Sequence, residues 1–71
     1  MLNDIKISKQ VEEDSDELLR LLSQRFLNEQ HRSLTSEESE SCWWVICGII
    51  YRSGKAEGLR YINSVKLLDL P

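Results

Sequence analysis

Residues 35–54 read TSEESESCWWVICGIIYRSG, and the choice between helix and strand for this stretch decides the fold. Its centre, from Ser41 to Tyr51, holds two adjacent tryptophans, two cysteines, a tyrosine and four β-branched residues around one glycine. Trp, Val, Ile and Tyr all favour strands. The flanks argue the other way. Thr35 followed by Glu38 is a capping-box pattern, in which each side chain satisfies a backbone N–H that the first helical turn leaves free. Glu37, Glu38 and Glu40 suit the positive end of a helix dipole, while Arg52 suits the negative end and Gly54 a helix stop. No second stretch of comparable strand character exists to pair with it. A helix over 36–52 is therefore expected.

Working outward, the turn signals RSLTS (32–36) and RSG (52–54) divide the chain into three helical segments. The first is predicted over 11–31, with Asp14 or Ser15 as N-cap; an earlier start near Ser8, with Glu12 closing the turn, reads equally well. Val11, Leu18, Leu19, Leu21, Leu22 and Phe26 share one face of that helix, and Leu27 falls off it. The third is predicted over 55–68, with Gly58, Tyr61, Ile62, Val65 and Leu68 as one stripe and Ala56, Leu59, Leu67 and Leu70 as a second apolar surface. The expected architecture is a single all-α domain, a three-helix bundle with room for a short extra element at the N-terminus.

On a wheel of about 100° per residue, Trp43, Ile46, Cys47 and Ile50 form the central face of the second helix. Trp44 and Tyr51 flank it on one side, Val45 and Ile49 on the other, leaving a narrow strip of Glu37, Ser41, Gly48 and Arg52. Two neighbouring helices cover little more than half of such a circumference. The surplus points to contact with another polypeptide, because large apolar patches mark interaction sites and Trp and Tyr dominate interface energetics. Neighbouring residues lie about 100° apart, so Trp43 is expected inside and Trp44 at the interface. The competing reading lays the N-terminal MLNDIKI across both tryptophans. The expected interface is Trp44, Val45, Ile49, Tyr51, Leu59 and Leu67.

The bulk composition agrees with a small folded module. The chain has 71 residues, 41% hydrophobic and 30% charged, with a net charge of −3. A core of this size stabilises weakly, so small domains turn to disulfides, metals, tight packing or association. Cys42 and Cys47 lie five apart and point away from each other on a helix, and with His31 they give only three soft ligands, short of a typical zinc set. Buried reduced thiols are the expected role, with no metal and no cofactor. His31 reads as a solvated or C-capping residue, and the acids at helix starts read as structural, so no catalytic residues are assigned.

Residues 1–41 carry ten acids and five bases, against two acids and four bases in 42–71. Glu12, Glu13, Asp14 and Glu17 could steer a basic partner. A rival from another class is a helix-turn-helix regulator that reads nucleic acid with Lys55, Arg60, Asn63 and Lys66. Four scattered bases and an acidic balance weigh against it. No apolar run approaches the length of a membrane span, and the opening MLNDIKISK has no signal-peptide core. The expectation is a cytoplasmic, non-enzymatic interaction module: a homodimer-forming regulator, adaptor or inhibitor.

Overall fold

The structure is a computed structural model that describes residues 7–70. Three helices, α1 (Lys9–Gln30), α2 (Ser36–Ser53) and α3 (Lys55–Ser64), pack against one another, and a 3₁₀ turn (Leu67–Asp69) closes the described chain. The bundle is all-α, as expected. An extra N-terminal element and the covering role of MLNDIKI fall largely on residues outside those described.

The caps explain where the helices begin. Helix α1 starts at the earlier of the two candidate positions. Ser8 is the N-cap and its Oγ accepts from the Val11 N–H at 3.1 Å. Ser15 cannot cap because it lies inside the helix, fully buried, with its hydroxyl donating to the Val11 carbonyl at 2.7 Å. Helix α2 has the expected box: Glu38 N–H donates to Thr35 Oγ1 at 3.1 Å and Thr35 N–H donates to Glu38 Oε1 at 2.9 Å. Arg32 reinforces it through both terminal guanidinium nitrogens, Nη1 and Nη2, 3.0 and 3.1 Å from the two Glu38 oxygens, and lies 4.8 Å over the Phe26 ring. The α1 C-terminus is therefore pinned to the α2 N-terminus by one arginine. His31 is the C-cap of α1, held in the left-handed region at φ 60°.

The core consists of Leu18, Leu22 and Phe26 from α1, Cys42, Ile46 and Ile50 from α2, Ile62 from α3, and Leu67. Close helix approach needs Gly58: a Cβ there would fall 2.8 Å from Leu18 Cδ1 and 2.9 Å from Ile50 Cγ1. Polar ties join the layers. Lys55 Nζ donates to Glu17 Oε1 at 2.9 Å and sits 3.7 Å from Asp14 Oδ1. Arg25 Nη1 donates to the Ile62 carbonyl at 3.0 Å, near the end of α3.

Each of the three helices differs from expectation in one respect. The buried face of α2 is rotated toward Cys42, which is fully buried, and Trp43 moves to the rim. Helix α3 ends at Ser64, not Leu68, because Val65 is extended (φ −65°, ψ 140°). That break cancels the helical phase beyond it. Leu67 turns inward to 8% exposure and Leu68 outward to 90%, the reverse of the helical stripes. Leu21, placed on the α1 core face, is also exposed.

Candidate interaction surface

The outward face of α2 carries the exposed large side chains of that helix. Trp44 is 56% exposed and Tyr51 57%, seven residues apart and so two turns along the same face. Between them lies Gly48, half-buried, with Ser41 and Arg52 exposed at either end and Glu37 and Glu40 exposed toward the N-terminus. Val45 and Ile49 form a half-buried shoulder. The narrow strip of Glu37, Ser41, Gly48 and Arg52 is thus continuous with Trp44 and Tyr51 as one surface.

Trp44 is held upright by its neighbour. The two indoles meet edge to face, centroids 4.9 Å apart and planes at 87°, a favoured aromatic geometry. Trp43 is itself fixed, its Nε1 donating to Asp16 Oδ1 of α1 at 2.7 Å. An anchored ring beside an exposed one limits the rotamers Trp44 can visit, and a rigid aromatic loses less entropy on contact.

The remaining expected contributors separate. Leu59 is 40% exposed on α3. Leu67 is buried in the core, so it offers nothing to a partner and leaves the interface set. Among the acids, Asp14 and Glu17 are engaged with Lys55, whereas Glu12 and Glu13 are exposed. The same contact ties down Lys55 among the bases considered for nucleic acid. Arg60 lies 3.6 Å from Glu57, and Asn63 and Lys66 are exposed.

Both cysteines are buried and free, and burial chiefly, with the Glu38 charge second, pushes the Cys42 thiol above its ordinary pKa. The described residues contain no cluster of three or more His, Cys, Asp or Glu placed to hold a metal ion. No described helix is long and apolar enough to cross a membrane. The chain matches no protein-family model, no curated protein and no solved structure.

Proposed function

We propose that this protein is a small non-enzymatic interaction module, a regulator, adaptor or inhibitor that presents the outer face of α2 to another polypeptide. The observation that carries the reading is the exposure of Trp44 and Tyr51 on a single face, two turns apart. Exposed singly, apolar residues are ordinary; an aligned Trp and Tyr with a glycine between them form a patch that desolvates on contact. Aromatic anchors of this type supply most of the binding free energy in helical interfaces, surrounded by residues that contribute shape. Val45 extends the patch on one side and Arg52, Glu37 and Glu40 give it a charged rim.

Photocrosslinking tests this directly. Benzoylphenylalanine in place of Trp44, in the cells that make the protein, is expected to give covalent adducts with a polypeptide. The same group in place of exposed Arg20 on α1 is the control and is expected to give none. Absence of any adduct from position 44 overturns the proposal.

A further inference from the structure

Among the described residues, nothing requires a glycine at position 48. Gly54 needs its freedom, with φ at 96°, and Gly58 is required by the close approach of Leu18 and Ile50. At Gly48 the backbone is helical and the nearest atoms a Cβ would meet are those of the Arg52 guanidinium, at 3.6 Å or more. Glycine in the middle of a helix lowers stability relative to alanine. A residue that weakens the monomer and leaves a notch on its surface is explained if something enters the notch.

The residues around it show what fits. Along the outward seam of α2 the order is Ser41, Trp44, Gly48, Tyr51, spaced three, four and three apart, alternately small and large. This spacing is that of a coiled-coil seam, in which side chains of one helix fill holes in the other. Take a second α2 antiparallel to the first, with the two-fold axis level with Ile46, midway between positions 44 and 48. Trp44 of each copy then lies level with Gly48 of the other, and Tyr51 lies level with Ser41. The same register brings Arg52 within one turn of the other copy's Glu37, which lies on the seam itself, with Glu40 level with Arg52 on the far side of the seam. Every large residue meets a small one, and the basic end of each helix meets an acidic start.

A parallel pair fails on both counts, since it sets Trp44 against Trp44, Gly48 against Gly48 and acids against acids. The antiparallel pair also opposes the two helix dipoles. Glu37, Glu40 and Arg52 make no ion pair with any other described residue, so they are available for it. Arg52, which now lies across Gly48, lifts off the notch to reach the acids.

We infer that the occupant of this face is a second copy of the same chain, bound as an antiparallel, two-fold symmetric α2 pair with Trp44 seated on Gly48. The contact is isologous: each knob and hole is used twice. This inference rests on the reading of the α2 face as an interaction surface and names its partner.

Charge exchange on the purified full chain tests it. Sedimentation equilibrium across about 1 to 100 µM should show the wild type as a monomer–dimer equilibrium. The variants Glu37→Lys/Glu40→Lys and Arg52→Glu should each dimerise about tenfold or more weakly, because both ends of the pair become repulsive. Mixed in equal amounts they should form a one-to-one heterodimer within about threefold of wild-type affinity, since both ends are attractive again. Gly48→Leu, which fills the notch, should be monomeric with its helical circular dichroism intact. A wild type that stays monomeric, or folded charge variants that do not recombine, overturns the inference. If the wild type is monomeric while position 44 still crosslinks to other polypeptides, only the choice of partner fails. Loss of all crosslinking removes the underlying reading as well.

Discussion

The indole N–H of Trp43 donates to Asp16 Oδ1 at 2.7 Å, so a tryptophan of α2 is tied to α1 while the tryptophan next to it is 56% exposed. The two rings touch edge to face, yet their environments differ because one helical step of about 100° carries the chain from the α1 contact to the solvent face. The pair therefore divides into a residue that holds the bundle and a residue that the bundle displays.

This division predicts unequal losses on truncation. Trp43→Ala removes packing and the bond to Asp16 and should lower the unfolding free energy by about 2–3 kcal/mol. Trp44→Ala should lower it by less than about 1 kcal/mol, as expected for an exposed position. Urea denaturation followed by circular dichroism measures both, at a concentration below any association so that binding does not add to stability. Equal losses would contradict the division.

The two helix glycines outside the turns should respond in opposite directions. Gly48→Ala has room for its methyl group and should raise stability by about 0.5–1 kcal/mol through helix propensity and a less flexible unfolded chain. Gly58→Ala must displace Leu18 and Ile50 and should lower it by about 1–3 kcal/mol. The stabilised Gly48→Ala protein should nonetheless self-associate several-fold more weakly, by about 1 kcal/mol, because its notch is shallower. Thermal melts at low concentration together with sedimentation separate the two effects. A Gly48→Ala protein less stable than wild type would mean that the notch is needed within the chain.

Local signals were legible wherever neighbours in sequence are also neighbours in space. The Thr35–Glu38 box, the Gly54 stop and the outward position of Trp44 follow from spacing alone. Ser8 and Asp14 or Ser15 were equal as caps in sequence; burial of Ser15 by the packed helices separates them. The inward turn of Leu67 follows from the extended conformation of Val65, and no proline or glycine marks that break. Lys55 and Glu17 lie 38 residues apart, so their pairing depends on how the helices dock. The seam of Ser41, Trp44, Gly48 and Tyr51 was present in the sequence but is visible only when residues are sorted by size; sorting by polarity puts Ser41 and Gly48 in a different class from the aromatics.

The thiols give a direct measure of core opening. Cys42 and Cys47 are both buried and unpaired, and burial holds the Cys42 thiol in its protonated, unreactive form. Iodoacetamide at pH 8 should label the native protein at least about 100-fold more slowly than the urea-unfolded chain, because labelling requires an opening reaction. Mass spectrometry over time gives both rates. Fast labelling of either cysteine in the native state would mean that α2 leaves the core readily, and the burial assigned to its inner face would be wrong.

The junction between α1 and α2 should fail in acid over a defined range. The Arg32 guanidinium, and next the Thr35 N–H, hold the Glu38 carboxyl down at about 2, from an ordinary value of 4.5. A carboxylate with a depressed pKa in the folded state stabilises that state above its unfolded pKa, and the contribution is lost as pH falls through the folded value. The Arg32–Glu38 contribution is thus complete above about pH 4.5 and declines toward pH 2. Glu38→Gln keeps an oxygen for the Thr35 N–H but removes the charge, which isolates the effect of the ion pair from that of the cap. The gap in thermal midpoint between wild type and Glu38→Gln should be widest at neutral pH and should close between about pH 4.5 and pH 2. Arg32→Met should follow the same course, since it removes the group that lowers the carboxyl pKa. A gap that stays constant across this range would show that Glu38 titrates alike in the folded and unfolded chain, and that the charged clamp between the two helices contributes nothing to holding them together.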